Sequence, residues 1–249
     1  MVYVNYEKKG QIVIVTMNRP ERLNALGQQL TDELARAWQE LESDEEARVG
    51  ILTGVGRAFS AGVDLKERSA GLDDFSKYAP GVPRPWSPRC QSKPVIAAVN
   101  GITLGAGFDI IMMDADICIA AESATFGMPE ILHAQFSLGT PWVIHNLPKF
   151  IIMEIILLGE NITAQRAYEL GLANKVVPDA VLMPTAVAFA EKLAKLSSAS
   201  VQGMRQNILK ATELTKEAYE LEFRVREDVT RGDVAVKGAK AFSERKHTK

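Results

Sequence analysis

Cysteine and histidine are both scarce in this chain. Cys90 and Cys118 are the two cysteines, and His133, His145 and His247 are the three histidines. Neither cysteine has a partner at metal-ligand spacing, so a zinc ribbon or finger is excluded and a reduced, intracellular chain is expected. An excess of one charge is also missing. The formal net charge of -2 leaves no electrostatic stripe for nucleic acid or an anionic membrane. Long apolar runs are missing too. Asp114 and Asp116 interrupt IIMMDADICIA, and Glu154 interrupts FIIMEIILL, so a transmembrane span is not supported. The opening MVYVNYEKKG does not have the basic-then-apolar layout of a secretory signal and reads as a first strand, which points to a cytoplasmic protein. No internal repeat or low-complexity tract is present.

What is there suits a folded domain. Of 249 residues 47% are hydrophobic and 24% charged, enough to bury a sizeable core. VYVNYEKKGQIVIVTMN reads as two strands joined by a turn at Lys9 and Gly10. In QQLTDELARAWQELESD, Leu30, Leu34, Trp38 and Leu41 recur at helical spacing, with Thr31, Glu33 and Glu40 on the polar side. VGILTGV, VIAAVNG and ADICIAAES are further strand candidates. Strands alternating with helical stretches indicate an α/β core with crossover helices.

Between Glu67 and Ser92 the periodicity lapses into GLDDFSKYAPGVPRPWSPRC, a proline-rich loop carrying Phe75, Tyr78 and Trp86. Such loops are often pocket walls or lids; a variable excursion is the alternative. After Pro148 the chain turns helix-rich. Thr163 caps a short helix ended by Gly171, and from about Ser200 two more helices are expected. We divide the chain into a core of residues 1–195 and a C-terminal helical region of residues 196–249.

Three stretches carry chemistry. GVGRAFSAGVDLKE follows a strand and holds Gly54, Gly56 and Gly62 before DLKE, which could open a helix. It is neither a dinucleotide fingerprint nor a P-loop, and an ordinary glycine-rich strand-to-helix turn is one reading of it. VNGITLGAGFDI repeats the layout around Gly105 and Gly107. Turns at Ala61 and Ala106 could each aim one N–H at one oxygen, which is an oxyanion hole. ATFGMPEILHAQ places Glu130 behind Pro129 in a first helical turn. His133, one turn on, reads as a surface or structural histidine, with a hydrogen-bonding neighbour of Glu130 as the alternative. Asp109 and Glu130 are candidates for a carboxylate pair that holds a water and moves protons to and from carbon.

In order along the chain, NRPERLNAL (18–26), GRAFSAGVDLKE (56–67), KPVIAAVNGITLGAGFDIIMMDADICIA (from Lys93), ATFGMPEI (124–131), ITAQRAYELGLANKVVP (162–178) and KAFSERK (240–246) resemble the crotonase, or enoyl-CoA hydratase/isomerase, family. The resemblance covers nearly the whole chain. It implies a crotonase-like spiral β-sheet core with surrounding helices, and a helical C-terminal region that serves trimerisation and covers the acyl pocket. It also implies a homotrimer or homohexamer, and coenzyme A as part of the thioester substrate with no tightly bound cofactor and no metal. The thioester oxygen would sit between the N–H groups of Ala61 and Ala106. Glu21, Arg22 and Leu23, with the backbone of Val63, Asp64 and Leu65, would meet the adenine end of CoA. Lys66 and Lys246 would face its phosphates as point charges.

The two glutamates that flank the substrate double bond in family hydratases match Asp109 and Glu130. Glu130 would pass a proton to C2 while Asp109 holds the water that becomes the 3-hydroxyl. The implied reaction is reversible hydration of a 2-enoyl-CoA. The alternatives are an enoyl-CoA isomerase or another acyl-CoA enzyme using Glu130, and, further off, an RNA-binding or catalytically silent member. Two departures stand out. Aspartate shortens the first acid by one methylene, about 1.5 Å. FSLGTPWVIHNLPK (136–149) replaces the family's glycine-rich continuation and brings in Trp142. With Phe75, Tyr78, Trp86 and Phe136, Trp142 suggests an aromatic wall suited to a cyclic or bulky acyl group.

Overall fold

The turn at Lys9 and Gly10 closes an antiparallel hairpin of β1 (Val4–Lys9) and β2 (Ile12–Met17), with Gly10 at φ 60° as the tight turn requires. The computed structural model describes residues 2–72, 86–133, 135, 147–212, 217–218, 220–221 and 224–225. From β2 the sheet grows in parallel through β3 (Val49–Gly54), β5 (Val95–Val99), β7 (Ile117–Ala121) and β10 (Lys175–Val177), giving the order β1-β2-β3-β5-β7-β10. A second sheet runs β4 (Ala58–Ser60), β6 (Ile102–Leu104), β8 (Thr125–Gly127) and β9 (Ile162–Thr163), the last antiparallel. The pairs β3/β4, β5/β6 and β7/β8 each give one strand to either sheet. The chain thereby winds as a spiral, as the family resemblance implies.

The near-continuous apolar strands have a physical reason: the larger sheet is buried on both faces. Val13, Val15, Leu52, Ala97, Val99 and Ala120 face one core with Leu30, Leu34, Trp38 and Leu41 of α1 (Gln28–Ser43). Ile14, Ile51, Ile96, Ala98 and Ile119 face the other, against Leu182, Ala186, Ala190 and Ala194. Further helices among the described residues are α2 (Leu65–Ser69), α3 (Ala106–Asp109), α4 (Lys149–Leu158), α5 (Ala164–Glu169), α6 (Leu182–Ala194) and α7 (Ser198–Ala211). Thr163 caps α5 by accepting from the Arg166 N–H at 3.1 Å, and Gly171 at φ 81° lies just beyond it, as expected. α7 is tied to the larger sheet through Arg205, whose Nε donates to both Asp116 carboxylate oxygens at 2.8 and 2.9 Å. Among the described residues no helix is long and apolar enough to cross a membrane.

Two side chains sit differently from their sequence reading. Thr31 is buried rather than on the polar face of α1, because its hydroxyl turns back to the Gly27 and Gln28 carbonyls at 3.1 and 2.9 Å. Trp86 is 1% exposed and belongs to the core beside α1, where its carbonyl accepts from the Trp38 indole at 2.8 Å. It is a packing residue. Phe75, Tyr78, Phe136, Trp142 and Lys246 lie outside the described residues.

Cys118 is buried on β7, and burial pushes its thiol up to about 12. The thiolate is the reactive form, so the folded protein holds this group inert. Alkylation at mildly alkaline pH should leave Cys118 unmodified in the native protein and modify it after denaturation, as read by peptide mass mapping.

Candidate active site

Two strand-to-helix turns meet backbone to backbone. The first leaves β4 at Ala61 and enters α2 after Asp64, whose Oδ1 caps that helix by accepting from Lys66 and Glu67 N–H at 2.9 and 3.2 Å. Most amides of this turn are committed. Ala61 N–H donates to the Leu23 carbonyl at 2.9 Å, and Gly62 N–H to the Ser60 hydroxyl at 3.2 Å. Leu26 bridges the turn: its N–H donates to Gly62 C=O at 2.7 Å, and its C=O accepts from Asp64 N–H at 3.0 Å. In such a parallel bridge the intervening residue turns its own N–H the opposite way. Val63 N–H therefore points away from Leu26 and has no hydrogen-bond partner among the described residues.

The second turn leaves β6 at Gly105, whose φ 53° and ψ -126° suit only glycine. The Gly105 carbonyl accepts from both Phe108 and Asp109 N–H, at 2.8 and 2.9 Å. Ala106 N–H, at the first position of α3, is one of the amides a helix start leaves without an internal partner. The turns touch at Gly62 (φ 82°), where a Cβ would lie 3.1 Å from Ala106 N and 2.7 Å from the Leu104 carbonyl oxygen. Val63 and Ala106 thus carry uncommitted amides on the two touching turns. Of the expected pair Ala61 and Ala106, the Ala61 amide is spent on Leu23.

The Glu130 carboxylate and the Asp109 backbone amide meet the same glycine. Glu130 sits in the 3-10 turn Pro129–His133 after β8, as its place behind proline suggested. Its carboxylate packs on Gly105 so closely that a Cβ there would be 2.5 Å from Oε1. Asp109 ends α3, is 2% exposed, and is tied to Gly105 by its own N–H. Directly after it the helix widens to π-type bonding over Ile110–Asp114, a distortion that recurs at functional sites. A Gly105→Ala substitution should disturb both features. The new methyl displaces the Glu130 carboxylate, and misplacing a reacting group by about 1 Å costs on the order of a hundredfold in rate. Steady-state turnover should fall by that order.

Among the other expected residues, Glu21 and Arg22 are exposed on the 3-10 turn Pro20–Arg22, and Leu23 joins them to the first turn through its bond with Ala61. Lys66 is exposed on α2, with Val63 and Leu65 half-buried beside it. The Asp64 side chain is buried and committed to its helix cap and an ion pair with Arg19, so Asp64 offers a ligand backbone only. Sequence reasoning missed Arg19 and Glu67, an ion pair at 2.8 Å behind the first turn. The one signal was the Asp64-x-x-Glu67 spacing of a capping box. Here Glu67 reaches Gln28 N–H at 2.9 Å and Arg19 instead of closing the box. Among the described residues no group of three His, Cys, Asp or Glu side chains could hold a metal ion.

Comparison with known proteins agrees with this layout over nearly the full length. The family model described as enoyl-CoA hydratase/isomerase matches residues 7–249. A probable mitochondrial enoyl-CoA hydratase of Dictyostelium discoideum is 39% identical over 213 residues, covering 84% of this chain and 76% of its own. The enoyl-CoA hydratase EchA19 of Mycobacterium tuberculosis is 32% identical over 249 residues, covering 96% of this chain and 93% of its own. The crystal structure of a carnitinyl-CoA hydratase from Mycobacterium avium superposes with a TM-score of 0.88 at 30% identity, covering 98% of this chain and 97% of that one. The chain belongs to the enoyl-CoA hydratase/isomerase family, and its reaction is of that family's type.

Proposed function

We propose that the chain is a hydratase, adding water reversibly across the C2–C3 double bond of a 2-enoyl-CoA. One observation carries the reading: the uncommitted amides of Val63 and Ala106 lie on two turns that touch at Gly62, and the second turn carries Asp109 and packs its Gly105 against the Glu130 carboxylate. The amides receive the thioester oxygen as negative charge develops on it. Each such donor contributes on the order of 3 kcal/mol to the barrier. Water oxygen attacks C3 while Asp109 orients it and takes its proton, and protonated Glu130 delivers a proton to C2 as the enolate collapses; the proton held by Asp109 then resets Glu130 for the next turnover. Electrons move from water through the double bond to the thioester oxygen and back to C2, with no redox partner involved. The exposed Lys66 and the 21–23 turn receive the CoA moiety.

The short reach of Asp109 favours a second reading, a shift of the double bond between C3 and C2 with Glu130 as the shuttle and Asp109 as electrostatic support. A panel of 2-enoyl- and 3-enoyl-CoA thioesters, straight-chain and ring-bearing, separates the two. Hydration consumes the conjugated-thioester absorbance and yields 3-hydroxyacyl-CoA. Isomerisation creates that absorbance from the 3-enoyl substrate and yields no hydroxyacyl product. For assembly we propose a homotrimer or homohexamer. Phe150, Met153, Leu157 and Leu158 of α4 leave an apolar face exposed together with Ile131 and Leu132, and sedimentation analysis would report the copy number.

A further inference from the structure

Beside the Val63 turn lies a buried charge cluster that the proposed reaction assigns no chemical step. Arg19 is 6% exposed. Its Nη1 stands 2.9 Å from Asp64 Oδ2 as an ion pair and donates to the Ala25 carbonyl at 3.1 Å, and its Nη2 donates to Glu67 Oε1 at 2.8 Å. The guanidinium also lies 5.1 Å from the centre of the Tyr3 ring. One partner adjoins the donor amide, and the other two lie on the segments that frame it. Asp64 follows Val63 directly, Ala25 precedes the bridging Leu26, and Glu67 accepts the Gln28 N–H at the start of α1.

The backbone around Arg19 is held just as firmly. Asn24, fully buried at φ 52°, accepts the Arg19 N–H at 2.8 Å and donates to the Ala58 and Val55 carbonyls at 2.8 and 3.1 Å. The segment Leu23–Leu26 is thus fixed against β4 on one side and against the Val63 turn on the other.

We infer that Arg19 is a positioning residue for the reaction: by bridging Asp64, Glu67 and Ala25 it sets where the Val63 N–H stands relative to that of Ala106. The inference rests on the proposed thioester chemistry. A planar guanidinium can hold three oxygens in a fixed fork, whereas a lysine ammonium at the same place is one mobile point charge. Buried ion pairs add little net stability, but they can select one arrangement among several. An oxyanion donor needs that selection, because it must be aimed before charge develops.

Three variants test it. Arg19→Lys keeps the charge and loses the fork. The triple variant Arg19→Met, Asp64→Asn, Glu67→Gln removes all three charges, so no ion is left stranded, and the asparagine it carries can still cap α2. Gly27→Ala leaves the cluster's composition intact and displaces the Glu67 carboxylate, since a Cβ at Gly27 would collide with its Oε2. The readouts are kcat, KM, the Kd for CoA, and the absorbance of a bound, unreactive conjugated enoyl thioester, which moves to longer wavelength as its oxygen accepts hydrogen bonds.

The expected result is a kcat lowered about 10- to 100-fold in the triple variant, with smaller losses in Arg19→Lys and Gly27→Ala. KM and the CoA Kd should stay within about threefold, and the red shift of the bound probe should shrink in step with kcat. A folded triple variant with unchanged kcat and unchanged red shift overturns the role of Arg19. Equal losses in kcat and CoA affinity overturn it as well, because they report general disorder of the site. A wild-type protein that neither turns over enoyl thioesters nor shifts the probe's absorbance overturns the reaction itself, and the inference with it.

Discussion

Glu130→Gln is expected to lower kcat for enoyl-CoA hydration by about 10³-fold while leaving CoA affinity intact. The glutamine is isosteric, so the packing of the side chain on Gly105 survives and only the proton is lost. Without it, C2 has no donor as the enolate collapses, and the oxyanion hole holds a charge that cannot be discharged. Asp109→Asn separates hydration from isomerisation. As a hydratase the protein should lose a comparable factor, because the attacking water loses its acceptor. As an isomerase served by Glu130 alone, it should keep most of its rate. Initial rates on the 2-enoyl and 3-enoyl substrates check both outcomes. An Asp109→Asn variant at full hydration rate would rule out the two-acid mechanism.

The second large effect concerns amides and contrasts neighbouring positions. Val63→Pro deletes the N–H assigned to the thioester oxygen, one that no other group in the described chain uses. Loss of a single oxyanion donor typically costs about 10²–10³ in kcat, so a drop of that size is expected with the fold retained. Ala61→Pro deletes an amide that holds Leu23 at 2.9 Å. It should act first on stability, losing on the order of 1 kcal/mol through the orphaned Leu23 carbonyl and showing as a lower Tm. If Ala61→Pro were the variant that lost kcat at unchanged Tm, the assignment of the donors would be reversed.

That pair of substitutions also marks how far the sequence could be read. The hairpin around Gly10, the helix of Leu30, Leu34, Trp38 and Leu41, and the cap at Thr163 are local patterns, and they folded as their spacing implied. The glycine turns before Asp64 and Asp109 were legible for the same reason. Which amide in the first turn remains available was not. It is decided by Leu23 and Leu26, distant in sequence, which consume the N–H of Ala61 and bracket Val63. Arg19 stayed hidden for a related reason, as its partner Glu67 stands 48 residues away. Thr31 was misread because a short hydroxyl can satisfy itself on the preceding turn and then be buried. Trp86 was misread because an aromatic in a proline-rich stretch fits a pocket wall and a core anchor equally well.

The measurement that bears most directly on the account is product analysis of a 2-enoyl-CoA incubated with the wild-type protein in water enriched in heavy oxygen. The account predicts 3-hydroxyacyl-CoA carrying one heavy oxygen atom on C3, with the thioester intact and its formation slowed about 10³-fold in Glu130→Gln. Free CoA with the label in a released carboxylic acid would contradict it. So would an unlabelled thioester whose double bond has merely moved.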